Sequence, residues 1–259
     1  MWSREEMIIA FHLYCRTGGR ESGGGDPGIA AVSELIGRTI PSIKFRLANY
    51  ASCDPEYKKD GKKGLTHGGK NVQEIWDEFS GDMERLSQET DEILRFGYRY
   101  VSSEFIIDSV DSFEAFPIGW EREQIVAARR NQSFFREAVL ASYNNKCCIT
   151  GIGDRDLLIA SHIKPWKDSD ARTERTNPRN GLCLNALHDR AFDKGLLTVT
   201  EGDHTVRLSK TLKKSVDRDA YEKFFGMYED RRIAMPARFA PDEEMLRHHN
   251  TIVFESRTL

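Results

Sequence analysis

The chain has 259 residues, a formal net charge of −3 at pH 7, 39% hydrophobic residues and 31% charged residues. This length suits one large domain or two modest ones, and the composition is that of a globular protein and not of a disordered or fibrous chain. No apolar run approaches the roughly 20 residues that cross a bilayer, and residues 1–6 lack the basic and apolar regions of a signal peptide. We therefore expect a cytoplasmic protein with no membrane partner.

Charge is distributed unevenly along the chain. Residues 82–121 contain 3 Lys and Arg against 10 Asp and Glu, whereas residues 122–216 contain 17 against 11. A phosphate backbone is attracted to a basic surface and repelled by an acidic one. The distribution predicts that a polyanionic partner binds along the second of these segments.

Residues 1–81 are predicted to form a helical module. Apolar residues recur at helical spacing in four stretches, at 7–14, 30–36, 43–50 and 72–79. A glycine-bearing turn at Gly37 separates the second and third stretches, and Pro41 suits the first turn of the third helix. Two helices joined in this way are typical of a helix-turn-helix.

A DNA-binding role for this module depends on four polar residues. The third helix would present Ser42, Lys44 and Arg46, with Arg38 in the turn before it. Such side chains contact phosphates or base edges when a helix enters the major groove. The alternative is a plain helical hairpin that serves packing or dimerisation and carries solvated basic residues.

The remainder of the chain predicts an acidic linker followed by a mixed domain. Residues 82–119 should contain a helix around Ile93 and Leu94 and then a solvated connection. Residues 120–143 predict a long helix. After it we expect the following elements: a strand ending at His162, a loop with a turn signal at residues 177–181, a short strand at residues 182–184, a helix from near Asn185 to Gly195, a hairpin over residues 196–208, a helix at residues 221–228 and a terminal helix capped by Asp242.

Three polar residues in this domain form a recognisable series. His162, Asn180 and His188 lie within the strings Ser-His-Ile-Lys-Pro-Trp, Asn-Pro-Arg-Asn-Gly and Leu-His-Asp-Arg-Ala-Phe-Asp-Lys-Gly. Their order and context resemble the His-Asn-His (HNH) endonucleases, which have a ββα-metal fold. The resemblance implies a metal-dependent nuclease that hydrolyses DNA phosphodiester bonds in restriction or defence against foreign DNA. It also implies that His162 is the general base, that Asn180 orients it and that His188 binds the metal.

The remaining metal ligands are less well defined. Many HNH enzymes have an acidic residue or a histidine just before the base, whereas this chain has Ser161. Asp189 or Asp193 would supply a carboxylate oxygen, and the helical period leaves that choice open because the two share a face. Oxygen ligands with one imidazole favour Mg²⁺ or Mn²⁺, and Ni²⁺ or Zn²⁺ are also compatible.

The cysteines predict reduced thiols and no structural zinc. There are five of them, and Cys147 and Cys148 are adjacent while Cys183 stands alone. Related proteins often frame the site with two Cys-x-x-Cys pairs, which this spacing does not provide. Among the other histidines, His204 beside the hairpin turn and the pair His248 and His249 are expected at the surface.

The predicted protein is therefore α+β, with a helical helix-turn-helix-like module at residues 1–81, an acidic linker at 82–119 and a C-terminal HNH nuclease domain at 120–259. We expect Lys164, Arg179 and Arg190 to hold the phosphate or stabilise its transition state. Symmetric cleavage of a duplex requires two sites, which predicts a homodimer. The alternatives are a DNA-binding regulatory protein with a degenerate HNH domain, which Ser161 motivates, and a nuclease that acts on RNA or branched DNA.

Overall fold

The computed structural model describes residues 1–17, 27–55, 57, 70–96 and 122–254. The chain divides into two compact units. The N-terminal unit comprises Met1–Ala138 and Ala171–Asn177, and the C-terminal unit comprises Val139–Asp170 and Pro178–Leu259. No helix within the described residues is long and apolar enough to cross a membrane.

The N-terminal unit is helical, as predicted. Its described helices are α1 (Arg4–Thr17), α2 (Pro27–Ile36), α3 (Ile40–Cys53), α4 (Lys70–Phe79), α5 (Met83–Phe96) and the greater part of α6 (Arg122–Ser142). Helix α5 is the helix expected at the start of the acidic segment. Residues 97–119, where the rest of the predicted linker falls, lie outside the described residues.

Helix α1 lies at the centre of this unit. Eight of its fourteen residues are buried, so it packs against neighbours on most of its circumference. The ring of Phe11 lies 4.9 Å from that of Tyr50 and 5.4 Å from that of Trp76, measured between centroids. The hydroxyl of Tyr50 donates to the carbonyl of Met7 at 2.9 Å, which satisfies a polar group that would otherwise be costly to bury.

The predicted turn between α2 and α3 is present. Gly37 adopts φ +64°, a left-handed conformation that glycine accepts without a steric penalty. The Thr39 side chain caps α3 by accepting from the backbone N–H of Ser42 at 3.4 Å. The helices and their turn are therefore those expected, while the assignment as a DNA-binding helix-turn-helix stays a prediction.

Two of the four residues predicted to contact DNA are engaged within the N-terminal unit. The guanidinium of Arg38 donates to both carboxylate oxygens of Glu6, at 3.0 and 2.9 Å. That of Arg46 lies 4.7 Å from the centroid of the Trp2 ring, and its partial burial lowers its pKa. Both arginines thus stabilise the contact of the chain's first residues with α3.

The C-terminal unit contains the predicted strand-loop-strand-helix. Strands β1 (Leu158–His162) and β2 (Gly181–Asn185) are antiparallel, and β2 leads directly into helix α7 (Ala186–Asp193). In the register of the hairpin, Ser161 lies opposite Leu182 and His162 opposite Gly181. The side chain of Asn185 caps α7 by accepting from the N–H groups of Leu187 and His188, which explains why the helix begins here.

The rest of the unit surrounds this hairpin and helix. Its described elements are strands β3 (Leu197–Val199) and β4 (Val206–Leu208), and helices α8 (Lys210–Ser215), α9 (Arg218–Phe224) and α10 (Glu243–His248), the last continuing as a π-helix over His249–Phe254. The hairpin of β3 and β4 and the cap of α10 by Asp242 are as expected. The mixture of helices and small antiparallel sheets confirms the α+β class.

The expectation that His204 and His249 lie at the surface is wrong. His204 is buried, with its Nε2 3.1 Å from a carboxylate oxygen of Glu243. His249 is only 1% exposed, and its ring stacks on Phe192 with centroids 3.7 Å apart. The Nδ1 and Nε2 atoms of His249 lie 2.7 Å from the Thr198 hydroxyl and 3.1 Å from the Phe192 carbonyl. The local sequence indicated a helix here but not the surface on which it docks.

The burial of His249 predicts a pH-dependent stability. Burial lowers the pKa of its imidazole to about 4 from an ordinary value near 6.5. The unfolded chain therefore binds more protons than the folded one between these values, and the free energy of unfolding should decrease as the pH falls from 6.5 to 4. Denaturant titrations over this range should show that this group lowers the free energy of unfolding by an amount on the order of 1–3 kcal/mol.

The matched variant is His249→Gln, which keeps a polar side chain that does not titrate. Its free energy of unfolding should depend less steeply on pH than that of the unmodified protein, whatever its absolute stability. Equal slopes in the two proteins would contradict the prediction.

Candidate active site

Asn180 fixes the loop that follows His162. It is fully buried, and its side-chain oxygen accepts from the Lys164 N–H at 2.8 Å while its amide donates to the Lys164 carbonyl at 3.2 Å. The same amide donates to the Ser169 hydroxyl at 3.2 Å, and the Asn180 carbonyl accepts from the N–H of Ile163 at 2.9 Å. The Asn180 side chain thus binds both the N–H and the carbonyl of Lys164, because an amide carries both a donor and an acceptor.

The ring of His162 is placed by this loop. His162 is the last residue of β1 and is half-buried. Its imidazole meets the Trp166 indole edge to face, with ring centroids 5.6 Å apart and an interplanar angle of 89°. The turn that carries Trp166 is tied back by Ser169, whose hydroxyl lies 2.9 Å from the Lys164 carbonyl. Neither Trp166 nor Ser169 is among the site residues predicted from the sequence, although both lie within seven residues of His162.

Ser161 and Asp189 are brought together across the junction of β1 and α7. Ser161 is 5% exposed, and its hydroxyl lies close enough to the Asp189 carboxylate to influence the pKa of that group. Burial raises the pKa of Asp189, and the Ser161 hydroxyl acts in the opposite direction. Ser161 of β1 is thus directed to the first turn of α7.

Asp193 has a different environment from Asp189, although four residues separate them on one helix. Its side chain is 56% exposed, and its carboxylate lies 3.6 Å from both the Arg190 guanidinium and the Lys194 ammonium. Position along α7 accounts for the difference, because Asp189 lies beside β1 whereas Asp193 is the last helical residue. Of the two carboxylates, the structure brings Asp189 to the strand that carries the candidate base.

His188 lies among aromatic rings. It is 2% exposed, and the centroids of Phe225 and Tyr228 are 5.4 and 5.5 Å from its own. Its Nδ1 lies 3.1 Å from the Asn185 side-chain oxygen. Since that oxygen already accepts two backbone N–H groups, Nδ1 must carry the proton in this contact.

The electrostatic state of His188 follows from its burial. Burial lowers its pKa to about 4, and the carbonyl of Phe224 partly offsets this effect. The imidazole is therefore neutral at pH 7. His188 and Asp189 are adjacent but point to different surroundings, because consecutive helical residues are turned by 100°. The contacts of His188 are with Asn185, Phe225 and Tyr228.

The three predicted phosphate-binding residues differ in accessibility. Lys164 is half-buried in the loop that Asn180 holds. The guanidinium of Arg179 lies 3.4 Å from the Ala240 carbonyl, and Arg190 is exposed on α7 beside Asp193. The C-terminal segment therefore reaches the loop between β1 and β2, a contact that the sequence could not indicate.

The donor set fits a hydrated cation better than a fully protein-bound one. Among the described residues, no three His, Cys, Asp or Glu side chains are grouped as a metal site, and Cys147, Cys148 and Cys183 are buried free thiols. One carboxylate beside a hydroxyl suits Mg²⁺ or Mn²⁺, since Mg²⁺ keeps several waters and uses one or two carboxylates. The same donors do not fit Zn²⁺, which takes three or four nitrogen and sulfur ligands in most sites.

Comparison with known families agrees with this geometry. Residues 147–200 match the HNH endonuclease family, and this segment contains β1, β2, α7 and β3. The matched segment thus includes His162, Asn180 and His188 together with these two strands and the helix, and it is similar to an HNH endonuclease domain. No curated protein matches the chain. Nucleases of this family generally use a divalent metal, and their substrate is DNA.

Removal of the Asn180 side chain should destabilise the C-terminal unit. Asn180→Ala removes the acceptor of the Lys164 N–H and one of the two donors to the Lys164 carbonyl, and loss of such bonds in a buried setting costs about 1–3 kcal/mol. Denaturant unfolding should report a decrease of this size. Asn177→Ala is the matched control, because it removes the same amide from a half-buried position in which the amide donates to the Thr173 carbonyl. An equal effect of the two substitutions would contradict the role assigned to the clamp.

Proposed function

We propose that the protein is a metal-dependent HNH endonuclease that hydrolyses DNA phosphodiester bonds in restriction or defence against foreign DNA. The observation that carries this proposal is the clamp of Asn180 on the loop after His162, within a segment that matches the HNH endonuclease family. A buried asparagine that fixes both backbone groups of one loop residue holds the candidate base in a defined position.

In this proposal His162 is the general base. An imidazole that is neutral near pH 7 can take a proton from the attacking water, which raises the rate by about 10²–10⁴-fold in typical enzymes. Asn180 and Ser169 act as positioning residues, since they hold the loop whose Trp166 contacts the His162 ring. The reaction gains from this arrangement because a base held in place needs no reorganisation before proton transfer.

Asp189 and Ser161 are the residues proposed to hold Mg²⁺ or Mn²⁺. The support is the proximity of the Ser161 hydroxyl to the Asp189 carboxylate at the junction of β1 and α7, which acts to lower the pKa of that carboxylate. A divalent cation there would neutralise charge on the phosphate and the leaving oxygen. His188 is then a positioning residue that, with Asn185, fixes the first turn of α7. Asp193 is proposed to pair with Arg190 and Lys194 instead of the cation.

DNA is proposed to contact both units. In the C-terminal unit the proposed phosphate contacts are the half-buried Lys164 and the exposed Arg190, and Arg179 supports the loop. In the N-terminal unit, Arg38 and Arg46 already contact Glu6 and Trp2. Ser42 and Lys44 lie on α3 outside these two contacts. Lys44 is therefore the residue of α3 best placed for a phosphate contact.

A DNA-binding regulatory protein with an inactive HNH domain is the second candidate. The observation in its favour is that the described residues include no group of three metal-ligating side chains. Serine in place of an acidic residue or histidine before His162 points in the same direction, because a hydroxyl is a weak metal ligand.

Cleavage of plasmid DNA separates the two candidates. The protein should nick or linearise plasmid with Mg²⁺ or Mn²⁺, and His162→Ala should lower the rate by about 10²–10⁴-fold, because the base is lost. Gel electrophoresis of timed samples measures both rates. If neither protein cuts DNA, including DNA with modified bases, the regulatory candidate is favoured.

The metal-binding role of Asp189 is tested by a pair of substitutions on one helix. Asp189→Asn should raise the Mg²⁺ concentration that gives half-maximal cleavage by at least about tenfold, because it removes the proposed charged ligand. Asp193→Asn, which removes the same charge from an exposed position, should leave this concentration nearly unchanged. The reverse pattern would assign the ligand to Asp193.

A further inference from the structure

Helix α8 presents three lysines on one face. Lys210, Lys213 and Lys214 are all exposed, and their spacing of i, i+3 and i+4 places them side by side on a helix. Leu212, on the other side, is 3% exposed and packs into the core. Residues 204–216 contain no Asp or Glu. We call these three residues the lysine face.

The lysine face is not explained by contacts within the described part of the chain. None of its lysines has a carboxylate at ion-pairing distance among the described residues, and the interaction found is that of the Lys213 ammonium with the Tyr221 ring at 5.8 Å. Like charges at i and i+4 destabilise a helix. A cation at the first position, as in Lys210, is also unfavourable beside the positive end of the helix dipole.

The lysine face is fixed to the helix that carries Asp189. The Ser209 hydroxyl caps α8 by accepting from the Leu212 N–H at 3.1 Å, and the Ser209 N–H donates to the Leu196 carbonyl at 2.9 Å. Leu196 follows the last turn of α7. Phe225, the residue that ends the next helix, α9, also reaches α7, because it contacts the ring of His188. An anion bound at α8 is thus held by the same unit as the candidate site.

We propose that the lysine face binds backbone phosphates of duplex DNA outside the bond that is cleaved. The inference rests on the proposed function, which supplies a polyanionic substrate. Three mutually repelling and externally accessible ammonium groups are complementary to a row of phosphates, and their neutralisation releases condensed counterions. Contact with phosphates adds affinity without sequence specificity.

The salt dependence of DNA binding tests this proposal. The experiment uses the full chain carrying His162→Ala, a fluorescent duplex and anisotropy titrations over about 50–200 mM salt. Replacement of Lys210, Lys213 and Lys214 together by Gln should weaken binding and reduce the slope of log K against log salt by about 3, since each phosphate contact contributes about 0.9. Replacement of the same three by Arg should preserve affinity and slope.

A control variant with the same change in net charge carries Gln in place of Lys70, Lys146 and Arg247, which are also exposed. The slope should then change by less than about 1. Equal losses in the control and in the α8 variant would overturn the inference, as would no binding of DNA by the His162→Ala protein. Binding to anionic lipid vesicles without binding to DNA would overturn it too.

The cleavage assay keeps the two proposals apart. Suppose that the unmodified protein does not cut DNA, and that the slope of log K against log salt decreases in the variant with Gln on the lysine face but not in the control. The lysine face is then supported and the nuclease function fails. If the unmodified protein cuts and the α8 variant keeps its slope, only the present inference is wrong. Unfolding curves of the variants that match that of the parent show that the comparison concerns folded protein.

Discussion

The candidate site depends on the hydrogen bonds of one buried amide. Asn180 accepts from and donates to the backbone of Lys164, two residues after His162. A buried amide with partners on both sides is costly to displace, because each broken bond would leave a polar group unsatisfied away from water. The loop after β1 therefore has one favoured arrangement, and the orientation of the candidate base follows from it.

Helix α7 separates two kinds of chemistry on adjacent residues. Asp189 faces β1 and lies beside the Ser161 hydroxyl. His188 contacts aromatic rings and bonds to Asn185, the cap of its own helix. Burial raises the pKa of the first and lowers that of the second, since in each case the charged form is disfavoured. A neutral, enclosed imidazole stabilises the helix that positions the carboxylate.

The two units use their basic residues in different ways. In the N-terminal unit Arg38 and Arg46 hold the start of the chain through Glu6 and Trp2, so these two cations stabilise the unit itself. In the C-terminal unit the lysines of α8 extend into solvent from a helix anchored by Ser209. A basic residue in a sequence therefore indicates capacity for anion binding, and its neighbours in space decide its use.

The sequence by itself determined the elements that depend on local rules. The strand before His162, the cap at Asn185, the hairpin at β3 and β4 and the turn at Gly37 all follow from side-chain period, capping chemistry and glycine's conformational freedom. The resemblance to the HNH endonucleases came from the strings around His162, Asn180 and His188, which lie within the segment that matches that family.

Only the tertiary structure decided which side chains meet. It brought Asp189 rather than Asp193 to Ser161, gave His188 aromatic neighbours and buried His249 against Phe192. The helical period places two residues on one face but does not say how far along that face a neighbouring strand extends. Docking of distant segments depends on the shape and burial of whole surfaces, which no local pattern records.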